Sequence, residues 1–111
     1  MVSQERKRYI LFKILNESIY KYDKNEFINI VWHSIWRYYG MNVVNKIGLW
    51  IIDLNLEKNY GIIRCSHKSK EIIISALSLI KEIKGKRIII IPIKTSGTLK
   101  KIKKTIRTLL K

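Results

Sequence analysis

The stretch RIIIIPIKTSGTLKKIKK, residues 87–104, changes its period halfway through. Up to Ile93 it is β-branched at nearly every position, the composition of a strand packed on a pleated surface. From Leu99 onward, Leu99, Ile102, Ile106 and Leu109 recur three or four apart, as along one stripe of a helix. A strand therefore runs into a helix, and Thr-Ser-Gly-Thr, residues 95–98, is the junction. Pro92, the only proline, cannot donate to a sheet ladder and places this strand at an edge. Ser96 is positioned to cap the helix, whose first N–H groups lack intrahelical partners and lie at the positive end of its dipole. Gly97 permits close approach, and an anion suits such a junction.

Working back from the junction, Ile73, Ala76, Leu77, Ile80 and Ile83 form a helical stripe that Ser66 or Ser69 can cap and Gly85 can end. KIGLWIIDLN (46–55) and NYGIIRC (59–65) read as two strands joined by a turn over Asp53 to Asn59. Asp23 and Glu26 make a capping box ahead of Phe27, Val31, Trp32, Ile35, Trp36 and Tyr39, which keep helical spacing up to Gly40. RYILFKIL, residues 8–15, is a short strand. The order β-α-β-β-α-β-α predicts an α/β class fold, an α+β sandwich. Its core is a ferredoxin-like, RRM-like βαββαβ sheet with an additional C-terminal helix, in one domain over residues 1–111.

Strand alternation sets Ile10, Phe12 and Ile14 on one face and Tyr9, Leu11 and Leu15 on the other. Ile47, Leu49 and Ile51 are likewise expected opposite Trp50, Ile52 and Leu54. Both faces are apolar, and two helices cover only one. The second needs the C-terminal helix, a partner or another copy of the chain, which argues against bases stacking on an open sheet at Tyr9 and Tyr60.

The chain carries 23 Lys and Arg against 8 Asp and Glu, a net charge of +15, and no acidic residue follows Glu82. Such an excess costs stability by self-repulsion and points to a polyanionic partner. Lys100, Lys104, Arg107 and Lys111 recur along one helical face, with Lys101 and Lys103 flanking it and Lys94 just before the junction. No apolar run approaches the ~20 residues of a membrane span. The start shows no cleavable leader pattern, and the single cysteine, Cys65, suits a reducing compartment; a cytoplasmic protein away from membranes is expected.

Nothing in the pattern suggests catalysis by the protein. The eight acids are scattered where a two-metal nuclease would cluster them, and Cys65, His67 and the distant His33 fall short of a zinc ligand set. Ser96-Gly97-Thr98 lacks the spacing of a P-loop. No metal site and no catalytic residue is expected.

RYILFKI, IWRYYG with NVVNKIGLWIID, YGIIRC and above all TSGTLKKIKK resemble, in order and over nearly the whole chain, the archaeal and eukaryotic ribonuclease P and MRP protein family, in particular its archaeal component 2 members. The resemblance implies an RNA-binding subunit of the ribonucleoprotein that removes 5′ leaders from precursor tRNA. There the RNA does the chemistry with magnesium and the protein binds no cofactor. The partners it implies are ribonuclease P RNA and the barrel-like protein component 3, with precursor tRNA contacted indirectly and a homodimer within a heterotetramer as one open arrangement. With the basic junction and helix face read above, the residues expected to bind RNA are Arg6, Lys7, Arg8, Lys94, Ser96, Gly97, Thr98, Lys100, Lys101, Lys103, Lys104 and Arg107. Trp32, Trp36 and Tyr39 are the candidates for the protein interface, with burial in the core as the alternative for both tryptophans. An independent basic nucleic-acid-binding module of ribosomal or chromatin type remains the alternative function.

Overall fold

The computed structural model describes residues 6–16, 23–40 and 49–109. They form β1 (Lys7–Asn16), α1 (Lys24–Tyr39), β2 (Trp50–Asn55), β3 (Tyr60–Ser66), a 3-10 turn (His67–Ser69), α2 (Lys70–Leu79), β4 (Glu82–Ile83), β5 (Lys86–Ser96) and α3 (Leu99–Leu109). The sheet is antiparallel with strand order β2-β3-β1-β5-β4, the expected ferredoxin-like order plus one short strand at the edge. Residues 46–48, read as the start of the second strand, lie outside the described residues, as do Lys111 and Ile47.

Asp23 caps α1 as its spacing predicts: its Oδ1 accepts the Glu26 N–H at 2.8 Å. The reciprocal half of the box is replaced by an ion pair, in which Glu26 Oε1 lies 3.2 Å from Lys84 Nζ. Phe27, Val31 and Ile35 of α1, with Ile73, Ala76 and Leu77 of α2, bury against Ile10, Phe12, Ile14 and Ile63. Phe12 and Phe27 stack with ring centroids 5.6 Å apart. Ser34 Oγ donates to the Ala76 carbonyl at 3.0 Å, a buried bond that ties the two helices together.

The second face is closed by the C-terminal helix. Ile102 is buried with Leu11 and Ile62, and Tyr9, Ile52, Tyr60, Ile93, Leu99 and Ile106 pack around them. Leu109, expected to continue the stripe, is 59% exposed. Leu15, Ile89 and Ile91, at the far end of the same face, are also exposed.

The structure corrects three expectations. The second helix ends at Leu79, not at Gly85. Ile80 is extended, and Glu82–Ile83 pairs back on Lys86–Arg87 through a tight turn in which Lys84 (φ 49°) and Gly85 (φ 78°) are both left-handed. Two consecutive positive φ values are the signature of a hairpin turn. The helical spacing of Ile80 and Ile83 was misleading because both are buried, but from extended backbone. Neither Ser66 nor Ser69 makes a side-chain cap; Ser66 Oγ donates to Ser69 Oγ at 2.8 Å instead. In β2 a register shift between Ile51 and Asp53 moves Leu54 to the face of Ile51, against strict alternation.

Gly61 sits opposite Phe12 in the β1–β3 ladder, where a Cβ would run into the Phe12 ring. Gly61→Ala is therefore expected to destabilise the fold by about 1–3 kcal/mol through overpacking. The denaturant midpoint should fall at unchanged m-value, and the penalty should shrink in a Phe12→Leu background. An equal penalty in both backgrounds would place the strain elsewhere.

Candidate nucleic-acid interface

β5 leaves the sheet at Ser96, crosses its end at Gly97 and enters α3 on the second face. Ser96 is buried and paired with Tyr9 of β1. The cap of α3 is Thr98 and not Ser96: the Lys101 N–H donates to Thr98 Oγ1 at 3.4 Å, while Ser96 Oγ accepts the Thr98 N–H at 3.2 Å and shapes the turn. Gly97 is not among the positive-φ glycines, and its nearest neighbour is the Arg8 guanidinium, whose Nη1 would lie 3.2 Å from a Cβ and would need to shift only slightly.

This crossing brings cations together from four elements. Arg8 of β1, Lys70 at the start of α2, Lys94 of β5 and Lys101 of α3 line one open recess with Thr95, Ser96 and Gly97. Arg8, Lys94, Ser96, Gly97 and Lys101 were expected from sequence; Lys70 was not. Lys70 lies between two serines and an acid in the chain, and only the topology, which brings α2's first turn to β5's exit, reveals it. The other expected cations spread outward. Lys104 lies beside Lys94 and Lys101 along the β5 flank of α3, and Lys103 and Arg107 line the opposite flank with Ile52, Asp53 and Tyr60. Lys100 is exposed on the helix crest, and Arg6 and Lys7 are exposed where β1 begins. The Arg6 carbonyl accepts the His67 N–H at 2.7 Å, holding this end of β1 beside the 3-10 turn.

The field of the cluster is visible in its neighbours. His67 is held below its usual range, first by the Arg8 charge, then by desolvation, and further by Lys70 and Arg6. Burial pushes the Cys65 thiol up to about 11, although Arg8 and Lys70 pull it down. Cys65 is thus a protonated core residue. Among the described residues no group of three or more His, Cys, Asp or Glu side chains could hold a metal ion. No described helix is long and apolar enough to cross a membrane.

For the expected protein-interface residues, α1 turns Trp36 and Tyr39 outward, at 47% and 36% exposure. Trp32 is partly buried against the core, so its core reading applies. Tyr38, which was not singled out, is more exposed than any of them.

Fold and surface together define a class: a ferredoxin-like sandwich whose second face is closed by a helix and whose cations gather at a strand-to-helix crossing. The family model described as the Rpp14/Pop5 family matches residues 8–107, and the chain belongs to this family. It is 35% identical over 100 residues to ribonuclease P protein component 2 of Methanocaldococcus jannaschii, covering 90% of this chain and 72% of that protein. It is 32% identical over 101 residues to the protein of the same name from Pyrococcus furiosus, covering 91% and 82%. In the cryo-EM structure of yeast ribonuclease MRP, one chain shares the fold with a TM-score of 0.71 at 13% identity, over 97% of this chain and 96% of that one.

An anion held among Arg8, Lys70 and Lys101 would offset the charges that disfavour the His67 imidazolium. Its pKa should rise when a short RNA binds, and by linkage the RNA should bind more tightly as pH falls through that titration. NMR titration of the His67 ring with and without RNA measures this. An unmoved pKa would put the anion elsewhere.

Proposed function

We propose that the chain is an RNA-binding protein subunit of ribonuclease P that assists the catalytic RNA in removing 5′ leaders from precursor tRNA. The observation that carries this reading is the convergence of Arg8, Lys70, Lys94 and Lys101 on one recess, in a chain whose family relatives are named as ribonuclease P component 2.

The mechanism follows from electrostatics. Phosphates crowded by RNA folding repel one another, and each lysine or arginine that replaces a condensed counterion releases it to bulk solvent. A fixed array of cations on α3 and around the recess does this without the ordering cost of free ions, so the RNA can reach its active fold at lower divalent concentration. Cleavage chemistry in this reading belongs to the RNA and its magnesium ions. The described carboxylates are dispersed, and no cleavage step is assigned to the protein.

The partner surface of this reading is α1. Exposed Trp36, Tyr38 and Tyr39 are aromatic anchors of the kind enriched at protein interfaces, and component 3 is the occupant proposed for them. A heterotetramer built on two copies of this chain, indirect contact with precursor tRNA, and action in the cytoplasm belong to the same proposal.

Replacing Lys100, Lys101, Lys103 and Lys104 with alanine should weaken RNA binding, flatten its salt dependence by about three to four charges' worth of slope, and hold or raise the thermal midpoint, because charges that oppose the helix are removed. In reconstituted precursor-tRNA cleavage the same variant should need more magnesium. Unchanged affinity would refute the interface. Separately, Trp36→Ala should weaken co-purification with component 3 while leaving RNA affinity of the isolated chain as it was; parallel loss of both would mean a folding defect.

A further inference from the structure

Outside the cation cluster, the described residue with the largest unexplained exposure is Trp50. Its side chain is 61% exposed, the most of any large hydrophobic residue described. Ladder pairing places it on the second face of the sheet: Trp50 is opposite Arg64, Arg64 opposite Tyr9, and Tyr9 opposite Ser96. These four residues form one row across the sheet, from the free edge of β2 to the junction where the cation-lined recess lies. At a strand spacing of ~4.8 Å, three steps separate the two ends by ~14 Å.

α3 covers the rows on one side of this one, over Ile52, Ile62 and Leu11, and Tyr9 is partly buried in that packing. Trp50 is left open. Its neighbour Arg64 has a buried Nε that makes no hydrogen bond, and its guanidinium has no carboxylate partner among the described residues. Asp53, an acid on this face, lines the flank of α3 with Lys103 and Arg107. An exposed indole beside an uncommitted guanidinium, on a chain of net charge +15, is complementary to a base attached to phosphates.

We propose that Trp50, with Arg64, is a stacking site for an unpaired nucleobase of single-stranded RNA whose backbone runs along this row to the recess at Ser96–Gly97. The proposal rests on the reading of the chain as an RNA-binding subunit and adds to it a preference for strand over duplex. In an A-form helix the bases are stacked on one another and their faces are closed to an indole, so the phosphate recess serves both forms and Trp50 only the unpaired one. The expectation against stacking at Tyr9 and Tyr60 stands, because α3 packs over both, and Trp50 at the edge is left exposed.

The test compares the full chain with Trp50→Ala and Trp50→Tyr for binding to a short unstructured RNA carrying 2-aminopurine and to a duplex RNA, across a range of salt. Trp50→Ala should weaken the single strand about tenfold, with the salt slope unchanged and duplex affinity unchanged. The 2-aminopurine quenching seen with the wild-type chain should be lost. Trp50→Tyr should restore binding to within about threefold, because an aromatic face remains. If Trp50→Ala leaves single-strand affinity and quenching intact, the stacking site is wrong and Trp50 is a protein-docking residue. If strand and duplex weaken together with a reduced slope, Trp50 acts through the cation array, which also overturns the proposal. If the wild-type chain binds neither RNA, the underlying RNA-binding reading fails, and this inference with it.

Discussion

A strand buried on both faces has to be covered twice, and β1 is such a strand. Leu11 and Phe12 are consecutive, point to opposite faces and are both fully buried. Phe12 is met by Phe27 of α1 and by the bare backbone of Gly61; Leu11 is met by Ile102 of α3. The first cover is supplied by the two helices of the βαββαβ unit. The second has to come from the last segment of the chain, and the need to reach Leu11 fixes where β5 must stop and turn.

That requirement places the charges. An eleven-residue helix is marginal in isolation, and α3 has lysines in its first turn, where the dipole favours acids, and like charges three and four apart along its length. Each such clash costs a few tenths of a kcal/mol, and together they are comparable with the roughly 1.5–3 kcal/mol from burying one side chain such as Ile102. Docking on the sheet therefore holds in place a helix whose own charges oppose it. A bound polyanion would reverse the sign of that opposition, so the features that weaken α3 alone are those that favour RNA.

The sequence made much of this legible because the relevant signals are local. The capping of α1 by Asp23, the β-branched run of β5 and the apolar stripe of α3 each reside in a few neighbouring residues, and each element formed where it was read. What escaped depends on pairing. The Lys84–Gly85 hairpin turn was hidden inside a helical spacing that Ile80 and Ile83 continue by coincidence of burial. The shift at Ile52 that turns Leu54 inward is a property of the β2–β3 ladder, not of β2 alone. Lys70 joins the cation cluster only because antiparallel order brings the start of α2 to the end of β5. Thr98, not Ser96, caps α3 because the last strand residue is still paired with Tyr9 and cannot adopt a cap's position.

The same coverage that closes the second face also divides it. α3 begins at the junction and lies over β1 and β3, so the central rows are shielded, while Trp50 at the β2 edge and the far end with Leu15, Ile89 and Ile91 stay exposed. These two open regions differ in chemistry. The first has Arg64 beside it and leads to the cation recess; the second is aliphatic and joins Leu15 of β1 to the portion of β5 beyond the reach of the two-residue β4. Pro92 sits in that free portion and removes a backbone donor from it, which disfavours pairing with a strand of another chain. A flat aromatic face beside cations favours a nucleobase, and the surface proposed to face RNA is therefore continuous around the start of α3, set by one helix docking on one strand.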